Sequence, residues 1–172
     1  MRPILPVLLA LLALAGPASA QSVAPAGEKI RWTNLEDGFV EAKRSGQPLL
    51  VDVSTQWCGW CKKMGRTTYT DPAVRAYVNK KFIASKVDAE DDARRVDYGG
   101  VESTYRQFAD SFRINQYPTA LFFAPDGTLI TQVPGFVKPE VYIQVLHYIG
   151  DGHYKTTSWD AYQRTSAAAT RP

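Results

Sequence analysis

The stretch VDVSTQWCGWCKKM, residues 51–64, holds both cysteines of the 172-residue chain, Cys58 and Cys61. It follows Pro48, and residues 48–54, PLLVDVS, form a short apolar, branched run with one acid inside it. That pattern reads as a buried strand. The residues after the cysteines, KKMGRTTY, read as helical, so the pair falls where a strand turns into a helix. Two cysteines so spaced can bind a metal, close a small loop or exchange electrons. Structural zinc takes four ligands, and the two histidines, His147 and His153, lie far along the chain, so a zinc site is disfavoured. Copper(I), which prefers soft thiolates, stays open. A loop this small removes little chain entropy, so the pair is a poor staple. A redox pair is the reading the position favours. At the first turn of a helix, unpaired amides and the dipole favour a thiolate at Cys58, and Lys62 and Lys63 add positive charge. Cys58 is then the attacking and leaving sulfur, and Cys61, one turn on and facing inward, resolves the mixed disulfide.

The ends of the chain set the compartment. Arg2 is the only charge in the first 27 residues, and residues 4–15, ILPVLLALLALA, are an apolar run of 12. Gly16 and Pro17 break the run, and Ala18-Ser19-Ala20 offers a small-residue cleavage site. This is the layout of a secretory signal peptide, residues 1–20, cleaved after Ala20. The run is short for a bilayer span of about 20 residues, so no stable membrane insertion is expected after cleavage. The expected location is the periplasm or the medium. Loss of Arg2 from 20 basic residues against 17 acids leaves a net charge of about +2, too balanced to suggest nucleic acid or an anionic membrane. The remaining 152 residues suit one domain with a proper core. A leader (21–33), a domain (34–150) and a C-terminal extension (151–172) are expected, in a monomer.

Along the domain, Asn34 can cap a helix to residue 45 with Leu35, Phe39 and Val40 as its apolar positions. Asp71-Pro72 opens a helix to about Asn79. KFIASKVDA (81–89) is a second strand, and EDDARRVDYGG (90–100) reads as loop. Val101, Tyr105, Phe108 and Phe112 fall on one face of a helix over 101–112. Residues 119–133 form two strands around the turn Ala124-Pro125-Asp126-Gly127. A last helix from Pro139 to Ile149 turns Val141, Val145, Leu146 and Ile149 inward. Trp159 and Tyr162 pack back on the domain, and the end TSAAATRP frays. Alternating elements followed by a hairpin imply an α/β fold with a mixed central sheet flanked by helices.

LLVDVSTQWCGWCKKM resembles the active-site strand and helix of the thioredoxin superfamily, with its Asp-bearing strand and Trp-Cys-x-x-Cys-Lys. QYPTALFF resembles the strand that this superfamily begins with a cis-proline. More narrowly, the Cys pair, TTYTDPAV, LFFAPDG and Gly-Phe before the last helix resemble the C-terminal domain of the interchange protein DsbD and related exported thioredoxins. The resemblance covers about 34–150. It implies a thioredoxin fold with an enlarged segment before the cis-proline strand, and no cofactor beyond a Cys58–Cys61 disulfide. It implies that Asp52, six residues before Cys58, moves protons to and from Cys61, with Lys86 as its partner. A carboxylate buried in an apolar strand has a raised pKa, which fits such a role. A solvated Lys86 and an ordinary strand-start proline are the plain alternatives. The resemblance further implies a substrate groove from Trp57, Gly59, Trp60, Tyr117, Pro118, Thr119 and Gly135, where a peptide pairs with exposed backbone.

There are two departures. The spacer is Gly59-Trp60 rather than Gly-Pro, and 29 residues separate Asp88 from Pro118. Packing is the simpler role for the segment 90–112, a partner-specific surface the other. Glu90, Asp91 and Asp92 read as solvated acids rather than a calcium site. The spacer lacks the His that favours the thiolate in oxidases and isomerases, which tilts the expectation toward a reductant of exported disulfide-containing proteins, supplied by a membrane thiol donor. An oxidase or isomerase of the same fold, and a chaperone-like or copper-binding module without enzymatic activity, remain alternatives.

Overall fold

In the computed structural model of the chain, residues 28–169 are described, with side chains to Ser166. The signal segment 1–20, its cleavage site, most of the leader and the last three residues lie outside the described residues. The apolar run at 49–54 becomes the central strand because it is buried along almost its whole length. Five strands form the main sheet: β1 (Trp32–Thr33), β2 (Leu49–Ser54), β3 (Ile83–Asp88), β6 (Thr119–Phe123) and β7 (Leu129–Pro134). Their spatial order is β1-β3-β2-β6-β7. β1 and β2 run parallel to β3, whereas β6 is antiparallel to β2 and to β7, so the sheet is mixed. This is the thioredoxin fold that the sequence implied. Trp32 and Thr33, assigned to the leader by sequence, belong to the sheet.

Both faces of the sheet are covered. Alternate β-strand residues point to opposite faces. Leu50, Ala84, Ala120 and Phe122 meet Met64 of α2 (Gly59–Arg66), Val74 and Val78 of α3 (Pro72–Lys81), and Tyr142, Val145, Leu146 and Ile149 of α5 (Pro139–Gly150). Leu49, Val51, Val53, Leu121 and Phe123 meet Leu35 and Ala42 of α1 (Leu35–Ser45) and Phe108 and Ala109 of α4 (Tyr105–Ser111). The caps follow the sequence. The Asn34 side chain accepts from the Asp37 amide at 2.8 Å, and Asp71 accepts from Ala73 and Val74 with Pro72 in the first turn.

Four expectations are corrected. Residues 90–100 are not all loop, and the helix does not begin at 101. β4 (Arg95–Tyr98) and β5 (Val101–Thr104) form an antiparallel hairpin, joined by Gly99 and Gly100 at φ 65° and 81°. Two successive left-handed residues make the tight hairpin turn that glycine tolerates. α4 starts only at Tyr105, where Thr104 and Gln107 form a reciprocal capping box, and Val101 lies exposed on the strand. In α1 the buried face is Leu35, Gly38 and Ala42, because the helix approaches the sheet at Gly38, and this leaves Val40 at 67% exposure. In α5 the inward stripe runs through Tyr142 rather than Val141, at the 142-145-146-149 spacing. The C-terminal end is helical through Ala169 in α6 (Trp159–Ala169) instead of frayed from Thr165. Trp159 and Tyr162 do pack back, with ring centroids 5.2 Å from Tyr148 in both cases.

Candidate active site

β2 delivers its last residues to the sheet end where α2 starts. Cys58 is the N-cap of α2: its amide donates to the Thr55 carbonyl at 3.3 Å, and its Sγ accepts from the Cys61 amide at 3.0 Å. Cys58 and Cys61 form a disulfide with Cα atoms 5.3 Å apart. Amide donation to Sγ and the positive end of the helix both favour negative charge on that sulfur once the disulfide opens. No acid occupies the first turn of α2, and Lys62 and Lys63 are exposed beside it. In this disulfide state Cys58 is the more buried of the two cysteines, at 4% exposure, with its amide bonded to the carbonyl of buried Thr55, and Cys61 is half-buried.

Asp52, two residues before the end of β2, is buried on the α2 face. It lies in register with Lys86 on β3 and Ala120 on β6. Lys86 Nζ is 3.9 Å from Asp52 Oδ2 and lies 4.7 Å above the Trp32 ring, with its side chain half-exposed. The Tyr69 hydroxyl donates to Asp52 Oδ1 at 3.0 Å. Burial pushes the Asp52 carboxyl above the usual carboxylate range, and the Lys86 charge and the Tyr69 hydrogen bond only partly oppose it. The long Lys86 distance and its contact with water make that opposition weak.

The Tyr117–Pro118 bond is cis, and both Pro118 and Thr119 are buried at the start of β6. The Gly135 amide donates to the Pro118 carbonyl at 2.7 Å, and the Thr119 hydroxyl donates to the Gln116 carbonyl at 2.8 Å. Two exposed aromatics flank the disulfide. Trp57 is 66% exposed, sits edge-on to Tyr117 with centroids 6.0 Å apart, and donates its indole N–H to Glu90 Oε1 at 3.0 Å. Trp60 is 57% exposed and lies 5.5 Å from Phe136, with Lys63 Nζ over both rings at 4.6 and 4.9 Å. Gly59 is exposed between them. Glu90 thus ties the enlarged segment to the site, and its neighbours Asp91 and Asp92 are engaged by Arg94 and Arg106. No group of three His, Cys, Asp or Glu suited to a metal occurs among the described residues. The sequence missed Tyr69, Trp32 and Phe136. Tyr69 and Phe136 stand inside two of the matched motifs, TTYTDPAV and the Gly-Phe before the last helix, but only the fold brings them and Trp32 to the site.

The chain shares 30% identity over 102 residues with the thiol:disulfide interchange protein DsbD 1 of Pseudomonas aeruginosa, covering 56% of this chain and 16% of that protein. It therefore spans only a small part of that relative. It is 28% identical over 117 residues to a thioredoxin H-type of Populus jackii, covering 68% of this chain and 69% of the relative. A thioredoxin-fold protein from Helicobacter pylori superposes with a TM-score of 0.63 at 20% identity, covering 72% of this chain and 82% of that one. A thioredoxin from Thermus thermophilus gives 0.58 at 18%, covering 76% and 100%. These structural likenesses establish the fold. Residues 35–150 match the family described as thioredoxin-like domain, and with most of its fold and its cysteine pair inside that span, the chain belongs to the thioredoxin-like family.

Proposed function

We propose that the protein is a thiol–disulfide oxidoreductase that reduces protein disulfides outside the cytoplasm. The observation that carries this reading is the Cys58–Cys61 disulfide at the start of α2, at the end of the strand that carries buried Asp52. In the reduced chain, the Cys58 thiolate attacks one sulfur of a substrate disulfide. That bond breaks, and the leaving substrate thiolate takes a proton from water. The Cys61 thiol then loses its proton to the Asp52 carboxylate, and the Cys61 thiolate attacks Cys58 Sγ. The bond from Cys58 to the substrate breaks, and the second substrate sulfur leaves and is protonated. The substrate gains two electrons, and the chain ends as the Cys58–Cys61 disulfide.

The direction rests on the spacer. Gly59 and Trp60 bring no imidazole to favour the Cys58 thiolate, and a less favoured thiolate makes a better reductant. The apolar surfaces of Trp57, Tyr117, Trp60 and Phe136 suit a polypeptide substrate whose backbone lies along Pro118. The signal-peptide layout of the sequence supports a location in the periplasm or the medium; on this reading the protein acts there as a monomer, and a membrane dithiol carrier returns it to the reduced state. Insulin reduction with the purified chain tests the activity, and Cys61→Ala is expected to trap covalent adducts with exported proteins. Faster refolding of scrambled ribonuclease than reduction of insulin, with a reduction potential as high as that of strong oxidants, would reverse the direction. Absence of both adducts and turnover would reject the enzyme.

A further inference from the structure

Tyr69 takes no part in the steps above, yet it is the fixed polar neighbour of Asp52. It lies in the single 3-10 turn Thr68–Thr70 between α2 and α3 and is 6% exposed. Its ring is held edge-on by Trp32 at 5.1 Å and by Tyr142 of α5 at 5.8 Å. The turn is held as well, since the Thr68 hydroxyl donates to the Val137 carbonyl at 2.6 Å. The Tyr69 hydroxyl is therefore aimed by packing before any proton moves. A phenol in this core would lose its hydration without return unless paired, and Asp52 Oδ1 supplies the pair at 3.0 Å.

The two carboxyl oxygens of Asp52 have unlike neighbours. Oδ1 meets a buried neutral donor on a rigid ring. Oδ2 faces Lys86, which is 3.9 Å away and half-exposed. The hydroxyl at Oδ1 fixes the carboxyl group on its buried side, and Oδ2 is left on the side where Lys86 reaches water. We propose that Tyr69 is a positioning residue for the proposed proton carrier: through its hydrogen bond to Oδ1 it anchors the Asp52 carboxyl group for proton exchange with Cys61. The inference rests on the reading of Asp52 as the base for Cys61. In the balanced step, the Cys61 S–H bond breaks, an O–H bond forms on the Asp52 carboxylate, and Tyr69 keeps its own proton. Burial, then the nearby Asp52 charge, drives the Tyr69 phenol well above its ordinary range, so it donates a hydrogen bond and is not itself the base.

The titratable groups that act on Asp52 are Lys86 from β3, Tyr69 from the 3-10 turn and Tyr142 from α5. Of these, Lys86 and Tyr69 favour the carboxylate. Removal of the Tyr69 donor thus disfavours it.

The test is the carbon-13 titration of the Asp52 carboxyl in the full oxidised chain and in Tyr69→Phe. The midpoint is expected to move to higher pH in the variant, and the low-pH limb of disulfide reduction to move the same way. In an Asp52→Asn background, Tyr69→Phe is expected to leave the pH profile unmoved. An unchanged Asp52 midpoint, or a profile shift that persists without the carboxylate, overturns the proposal. If the Phe variant does not fold, a fluorotyrosine placed at position 69 donates more strongly and must move the midpoint down; no movement is an equal refutation. The titration needs no substrate, so its outcome is separate from whether the chain reduces disulfides.

Discussion

Asp52 and Lys86 are register partners on adjacent parallel strands, yet their charged atoms stand 3.9 Å apart, the acid buried and the lysine half in water. The pairing is thus too loose to cancel the cost of burying the carboxylate. Lys86→Met is expected to push the low-pH limb of turnover to higher pH and to slow turnover at neutral pH by less than about tenfold, since on the proposed function Lys86 acts only through Asp52, and a general base is worth about 10²–10⁴. Stability follows the same sign. A carboxyl raised by burial contributes stability that is full below the ordinary carboxylate range and is lost as pH rises through its folded value. Asp52→Asn is therefore expected to gain stability over the parent as pH rises from 4 to 8, read from urea midpoints at each pH.

Trp57 is exposed but not free to swing, because Glu90 accepts its indole N–H and Tyr117 meets it edge-on. Trp57→Ala is expected to raise KM for a peptide disulfide by about tenfold, the scale of one lost aromatic contact. Glu90→Ala is expected to raise it by about threefold, the scale of one net hydrogen bond. Neither change is expected to slow reduction of the Cys58–Cys61 bond by dithiothreitol, followed by tryptophan fluorescence.

Gly38 tests the close approach of α1 to the sheet. Alanine favours helices by about 1 kcal/mol over glycine. Here an added Cβ would overlap Ser85 Oγ and stand 3.1 Å from Leu49 Cδ1. The Ser85 hydroxyl is itself bonded to the Asn34 carbonyl at 3.0 Å. Overpacking outweighs propensity, so Gly38→Ala is expected to lose about 1–3 kcal/mol in urea unfolding.

Asp151 joins α3 to the end of α5, with Lys81 Nζ and His147 Nδ1 each 2.9 Å from a carboxylate oxygen. Burial alone would raise this acid, but hydrogen bonds from His147 and Lys81 outweigh it and hold the carboxyl at about 2. Its contribution is present above the ordinary carboxylate value and disappears as pH falls through about 2. Asp151→Asn is expected to cost about 1 kcal/mol at pH 7, discounted because the side chain is a third exposed, and less than half of that at pH 2. Denaturant midpoints at the two pH values check it.

The strand, the cysteine turn and the caps at Asn34 and Asp71 were legible because each is a local pattern. The hairpin at 95–104 carries a local signal too, Gly99-Gly100, but its strands are four residues each and charged on one side. The helical spacing of Val101 with Tyr105 masked them, although Thr104 and Gln107 mark the true helix start. Tyr69 and Glu90 could not be read, since they meet Asp52 and Trp57 across 17 and 33 residues of chain. Such contacts belong to the packed sheet and leave no period in the sequence.

The flanking tryptophans have a consequence for traffic at the disulfide. Cys58 offers little surface, while Trp57 and Trp60 offer much. On the proposed function, a polypeptide thiol settles on those rings and is held in line with the sulfur, a hold that a tripeptide-sized thiol lacks. Selectivity between large and small thiols would then come from the two rings beside the sulfur, so that delivery of electrons is addressed by surface area instead of by the reactivity of the disulfide itself.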